Sequence, residues 1–250
     1  MKICIAQIQS LKEKLQVNIK NHIEVIESAI KLNADLIIFP ELSITNYEPN
    51  LAKELAIDIE DIRFDPFQEL SNKNGIAIGV GVPTKGNEVM HISMLIFQAE
   101  KERSIYSKEI LHNDELSYFT SGTNQPLLTI KGKKIAIGIC YETLQRKHFI
   151  KAKENKAEIY IASVAKPERG IDKAYLHFSN TAKEFKIPIL MSNCIGYCDN
   201  FLSCGQSAVW NKNGELISNL DKINQGMIVY DTILKTTRIK VLNNIDNHSD

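Results

Sequence analysis

No stretch of this 250-residue chain approaches the ~18 consecutive apolar residues of a membrane span. It also lacks an excess of either charge. Lys plus Arg and Asp plus Glu number 30 each, so no net field draws the protein to nucleic-acid phosphates or anionic lipid. Partners of both kinds are therefore not expected. Cys-x-x-Cys is missing, and the five cysteines are odd in number and dispersed, which argues against a disulfide framework. A reducing, cytoplasmic setting is expected. The opening Met1-Lys-Ile-Cys-Ile-Ala-Gln turns polar too soon for a secretory leader. No low-complexity linker interrupts residues 1–232, so a single domain over 1–250 is expected, with a polar tail from about 235. Apolar residues at 44% and charged ones at 24% are ordinary for a globular chain able to bury a sizeable core.

Short apolar runs alternate with amphipathic stretches. Residues 3–8 and 36–39 read as strands, the second closed by Pro40. Ile19, Ile23, Ile26 and Ile30 have helical spacing within 18–32, and a second helix is expected over 66–72. Strands are expected at 76–82, 89–98 and 104–108. The second half repeats this order. "KICIAQI" at 2–8 matches "KIAIGIC" at 134–140, "NADLIIFP" at 33–40 matches "KAEIYIAS" at 156–163, and "GIAIGVGVP" at 75–83 has its counterpart at 186–194. Each half then offers a hairpin, turning at "QAEKER" and "WNKNGE". Two β-α-β-α-β-β-β halves packed sheet to sheet give an α/β fold, a four-layer α-β-β-α sandwich of two mixed sheets.

"GICYET" at 138–143 puts a thiol where a strand ends and a charged helical segment approaches. Open α/β sheets bind ligands at such strand ends, and a tight turn there leaves backbone N–H groups free for an oxyanion. A buried structural cysteine is the competing reading. No histidine stands in a recognisable Cys-His pattern: His148 follows by eight residues, and His91, His112 and His177 have no motif around them. Carboxylates are the other option. Glu41 lies just past the strand in "IIFPEL", where a charge needs a partner or water. Lys108 ends another strand in "YSKEIL", and Glu115 follows seven residues later. Each signal alone is weak. Together, Glu41, Lys108 and Cys140 all fall at strand ends, 67 and 32 residues apart.

At these residues the sequence resembles the nitrilase, or carbon–nitrogen hydrolase, superfamily. The likeness rests on "FPEL", "YSKEIL" and "GICYE", in order, and on "NCIGYCDNFLSCGQSAVWNKNGE" at 193–215, over about residues 1–232. Two departures stand out: Glu109-Ile110-Leu111 follows the lysine where many members have x-His-Leu, and Asn46 precedes Tyr47 where Gly is common. The resemblance implies a cofactor-free, metal-free hydrolase acting on a small amide through a Cys140 thioester. Glu41 would be the base, Lys108 and the Tyr141 N–H the oxyanion donors, and Glu115 a supporting carboxylate. It also implies that Tyr47 and Tyr141 line the pocket, and Ser163 and Val164 either touch substrate or merely end a strand. Glu142 would hold the cysteine loop. A lysine cation beside the thiol would favour thiolate. The pocket loops would be 42–62 and 112–125, and a homodimer or higher homo-oligomer would be usual for the family.

Several rival readings exist. N-carbamoyl compounds are the alternative substrate class, and a catalytically inactive binding protein of the same fold is a further one. Cys194, Cys198 and Cys204, with Asp199 near, suggest zinc, but their spacing lacks a Cys-x2-Cys pair.

Overall fold

Along β1 (Lys2–Gln7), Ile3 and Ile5 join one hydrophobic core while Cys4 and Ala6 join another. Such a strand is buried on both faces and must lie between two packed layers. β2 (Leu36–Ile38) divides in the same way, Leu36 and Ile38 against Ile37. The computed structural model describes residues 1–86, 89–123 and 127–242. In its first half these strands are joined by α1 (Leu15–Lys31), the short α2 (Ala52–Leu55), α3 (Asp65–Asn74), β3 (Ala77–Lys85), β4 (Met90–Phe97) and β5 (Ser104–Ser107). The second half runs β6 (Leu128–Ile130), β7 (Lys133–Ile139), α4 (Arg146–Glu154), β8 (Ile159–Val164), α5 (Glu168–Phe185) and β9 (Ile189–Asn193). The hairpin β10 (Ile195–Cys198) and β11 (Phe201–Cys204) follows, then β12 (Ala208–Trp210), β13 (Leu216–Asn219), β14 (Gly226–Asp231) and β15 (Thr236–Val241).

The main sheets have the orders β15-β14-β1-β2-β3-β4-β5 and β13-β12-β9-β8-β7-β6. Strands β1, β2 and β3 are parallel, as are β7, β8 and β9. Antiparallel strands flank both trios, so both sheets are mixed. Inner-face residues of the two sheets, such as Ile3, Leu36, Ile137 and Ile161, share one core. Outside, α1 and α3 cover the first sheet through Ile26 and Phe67, and α4 and α5 cover the second through Phe149 and Phe178. The four-layer α-β-β-α sandwich and its internal repeat are thus both present.

Two features differ from the sequence reading. Part of the expected tail is a strand: β15 pairs with β14 in register, Ile239 opposite Ile228, as its alternating Thr, Ile and Val side chains favour. The rest of that tail, residues 243–250, lies outside the described residues. The hairpin β10–β11 is an insertion between β9 and β12 that the repeat does not anticipate.

Two local devices shape the ends of the central strands. The first is the loop after β2, which lies directly on β3. Phe39 N–H donates to Gly79 O at 3.0 Å and Ile44 N–H to Gly81 O at 3.0 Å. A Cβ on Gly81 would overlap the Pro40 carbonyl and the Leu42 amide, so only glycine lets the loop carrying Glu41 settle there. The second is the 3-10 turn Cys140–Leu144 after β7. Cys140 has φ 46°, an uncommon left-handed conformation for a residue with a side chain. Glu142, fully buried, holds it there. Its Oε1 accepts from Ile139 N at 2.7 Å and from the Tyr106 hydroxyl at 2.5 Å, and its Oε2 accepts from Glu109 N at 2.8 Å and Ile110 N at 3.2 Å.

Gly81→Ala is expected to destabilise the fold by about 1–3 kcal/mol through overpacking, read as a lowered denaturant midpoint; an unchanged midpoint would show that the loop has room to move. Glu142→Gln turns an NH2 toward two of the four donors whichever way the amide points. A loss of about 1–3 kcal/mol per unsatisfied group is expected, and equal stability of the variant would mean that the turn does not rely on this carboxylate.

Candidate active site

Glu41 follows β2, Lys108 follows β5 and Cys140 follows β7, and the sandwich brings the three together at the carboxyl ends of its parallel strands. Lys108 Nζ donates to Glu41 Oε1 at 2.8 Å and to Glu115 Oε1 at 2.6 Å, with all three side chains essentially inaccessible. Glu115 is held in turn by the Tyr47 hydroxyl on Oε1 at 3.0 Å and the His112 N–H on Oε2 at 2.7 Å. Burial raises the Glu41 carboxyl above its usual range, Lys108 pulls it back, and Glu115 adds to the rise. For Lys108, burial works against the charge, but the two carboxylates outweigh it and the ammonium is held firmly.

Glu41 Oε2 has no ordinary hydrogen-bond partner among the described residues, and the Cys140 thiol is near enough to lower the Glu41 pKa through its hydrogen. The thiol itself is pushed up to about 12 by burial and then by the Glu41 charge, against the opposing pull of Lys166 and Lys108. The expected pull of a lysine toward thiolate is present, but burial and the Glu41 charge act against it and outweigh it. The only conventional contact of Sγ among the described residues is a weak one, 3.8 Å to Ala165 O.

No described histidine bonds to the thiol. His148 lies in a buried polar network, its Nε2 3.0 Å from the Tyr106 hydroxyl and its Nδ1 2.7 Å from that of Tyr160. His177 contacts the Thr143 carbonyl, and His91 that of Thr120. His112 stands at the cavity rim, edge-on to Tyr141.

Cys140 opens into a cavity of about 500 Å3, with Tyr47, Tyr141 and Glu115 also on its wall. Ser163 and Val164 are not on that wall. The Ser163 hydroxyl is spent on the Phe39 carbonyl of the facing sheet at 2.8 Å, and Val164 lies in the core beneath α5. The two residues after them, Ala165 and Lys166, face the cavity instead. Loops 42–62 and 112–125 contribute as expected, through Asn50 and Tyr118 among others, but segments 165–173 and 199–201 were not foreseen. The signal available was the cation placed just past a strand end in "SVAKPERG".

The departures from the family pattern have local explanations. Asn46 takes φ 67°, the conformation that Gly would adopt, and its side chain ties Glu48 and the Tyr197 carbonyl. Glu109 pairs with Lys151 of α4. Cys194 and Cys198 lie 3.6 Å apart in a small cluster, while Cys204 belongs to the core under α5, so the three thiols do not converge. The "NCIG…GQS" residues are a scaffold. Asn193 Oδ1 accepts from Lys166 N at 2.8 Å, its Nδ2 donates to Gly205 O at 2.7 Å, and Ser207 Oγ accepts from Asn193 N at 2.9 Å.

Residues 2–238 match the family described as carbon–nitrogen hydrolase. A probable nitrilase of Schizosaccharomyces pombe is 27% identical, covering 83% of this chain and 78% of that protein. A glutamine-dependent NAD(+) synthetase of Acinetobacter baylyi is 26% identical over 86% of this chain but only 41% of its own length, so the chain spans about two fifths of that relative. Among solved structures, an amidase from Nesterenkonia sp. AN1 superposes with a TM-score of 0.84 at 21% identity over 92% of each chain, a likeness of fold. With that match running nearly end to end, the chain belongs to the carbon–nitrogen hydrolase family.

Proposed function

We propose that the protein hydrolyses a small, non-peptide amide through a thioester on Cys140, releasing ammonia and a carboxylic acid. The observation that carries this reading is the buried Glu41–Lys108–Glu115 array beside a thiol that opens into a cavity. Two carboxylates against one ammonium leave the array net negative, so ionising the thiol alone would add a second uncompensated charge in a dry site. Transfer of the thiol proton to Glu41 avoids this, since the array loses one negative charge as sulfur gains it. The raised pKa of Glu41 makes that transfer less uphill.

The sulfur attacks the amide carbon, and the carbonyl π electrons move onto oxygen. Lys108 and the Tyr141 N–H stabilise that oxyanion. Glu41 gives its proton to the departing nitrogen, the C–N bond breaks, and ammonia leaves the acyl group on sulfur. Glu41 then takes a proton from water, the resulting hydroxide adds to the thioester, and collapse releases the acid and the thiol. Glu115 keeps Lys108 aimed. In a protein of like fold, a mutant of the Nesterenkonia amidase, acrylamide adds at the active-site cysteine, which supports a reactive thiol in this reading.

The glutamine-dependent synthetase relatives support a second reading, in which glutamine is the amide donor and the same chemistry frees ammonia for use elsewhere. N-carbamoyl compounds are a further class for the same site.

Ammonia release is to be measured over a panel of aliphatic amides, glutamine, N-carbamoyl amino acids and nitriles. Release should fall to background in Cys140→Ala, and its persistence there would refute the thioester. Lys108→Met should lose about 10²–10³-fold in kcat at a temperature where its circular dichroism is native; near-normal turnover would remove Lys108 from the oxyanion role. The base must be ionised, so kcat/KM should decline as pH falls through the raised Glu41 pKa. Its acid limb is therefore expected above the ordinary glutamate value of about 4.3, and a limb at or below that value would contradict the assignment.

A further inference from the structure

Lys166 is 7% exposed, yet it faces the cavity and its ammonium has no hydrogen-bond or ion-pair partner among the described residues. Buried lysines are ordinarily paired, because an isolated ammonium out of bulk water is costly. Its placement is not loose. The Lys166 N–H donates to Asn193 Oδ1 at 2.8 Å, and its carbonyl accepts from Ser203 Oγ at 3.0 Å, Cys204 N at 3.1 Å and Asn193 Nδ2 at 3.3 Å. With the backbone fixed by four bonds, and with Ala165 O against the Cys140 sulfur, the side chain projects beside the thiol.

The same wall carries more positive charge. Arg169 and Lys173 face the cavity, and neither they nor Lys166 has a carboxylate within ion-pair distance among the described residues. α5 begins at Glu168 and presents the positive end of an 18-residue helix there. Glu168, the acid of its first turn, is drawn off by Lys222 on the surface. Acidic groups also face the cavity: Glu115 is paired with Lys108, Asp114 is bonded to His112 and Asp199 to the neutral Asn50. The three cations all come from the one segment 165–173, whereas the acids come from other loops.

We propose that Lys166, backed by Arg169, is the specificity-determining anion receptor of this site, and that the substrate is a monoamide carrying a carboxylate at its far end. The word substrate rests on the amide-hydrolase reading; the receptor itself does not. A carboxylate seated on Lys166 would supply the counter-charge that the lysine lacks, and would turn the amide end toward Cys140.

The receptor can be tested without turnover by alkylating Cys140 with iodoacetate and with iodoacetamide, which differ in charge. The ratio of the two rates, normalised to that for glutathione, should exceed one in the wild type. It should fall about tenfold or more in Lys166→Met, and to a lesser degree in the surface variant Arg169→Met. Glutarate should protect wild-type Cys140 from iodoacetamide better than it protects Lys166→Met. An unchanged ratio in both variants would overturn the receptor. So would equal slowing by both reagents, because Lys166 would then act on the thiol alone. If amides are hydrolysed, the monoamide of glutaric acid should be preferred over its methyl ester, with the preference reduced in Lys166→Met chiefly through KM. Absence of all amide hydrolysis alongside a shifted alkylation ratio would sustain the receptor and refute the amidase reading.

Discussion

A lysine ammonium buried between two carboxylates is the constraint on which the rest of the site depends. Lys108 is out of water, so it keeps its charge only because Glu41 and Glu115 face it, and Lys108 in turn draws the Glu41 carboxyl back toward its charged form. None of the three is stable there alone. Removing one partner of such an arrangement typically costs several kcal/mol, about 3–5, and so the array fixes the ends of β2 and β5 relative to each other. The Tyr47 hydroxyl and the His112 amide complete the coordination of Glu115, which carries the constraint out to the loops that wall the cavity.

The thiol is placed by a separate and equally demanding device. A side-chain residue in left-handed backbone conformation is strained, and strain persists only where neighbours over-determine it. Glu142 does so with four donors from three segments, Ile139, Tyr106 and Glu109–Ile110. Two of those segments flank Lys108 itself, so the carboxylate that shapes the cysteine turn also locks that turn to the strand that delivers the lysine. Burial raises Glu142 to about 7, while the Tyr106 hydroxyl and the Ile139 amide act in the opposite direction. Its role is to position.

Much of this was legible in the chain. Buried strands announced themselves as short apolar runs, the duplicated order gave the sandwich, and Glu41, Lys108 and Cys140 stood out because a polar group just past a buried strand needs a reason to be there. What the sequence left open or unread has physical causes. Ser163 sits at the same kind of strand end, but its hydroxyl bonds across to the opposite sheet, and nothing in "EIYIAS" says which neighbour a serine will find. Lys166 was passed over because surface lysines are common, and its burial follows from the β10–β11 hairpin, which closes over it through Ser203 and Cys204 and has no counterpart in the first half. The pull of a lysine on the thiol was legible, but the opposing effects of burial and Glu41 were not. Proximity of a lysine can be guessed from motifs, whereas dehydration depends on the whole fold.

The internal repeat explains how groups so far apart in sequence meet. Strands β2 and β8 occupy equivalent places in the two sheets, and the sheets face each other with their carboxyl ends together, as the bonds from Ser163 to Phe39 and from Ser192 to Ala6 require. Whatever follows β2 must therefore approach whatever follows β8. In this chain the first half contributes Glu41 and the second contributes Ala165 and Lys166, all near the Cys140 sulfur. The repeated order made the crevice, and differences between the halves made it chemically unsymmetrical, with a buried carboxylate from the first half and an unpaired cation, among the described residues, from the second. On the proposed amide-hydrolase reading, that asymmetry would give an extended substrate a direction, with the amide toward Glu41 and Lys108 and the remainder of the molecule along the wall of α5.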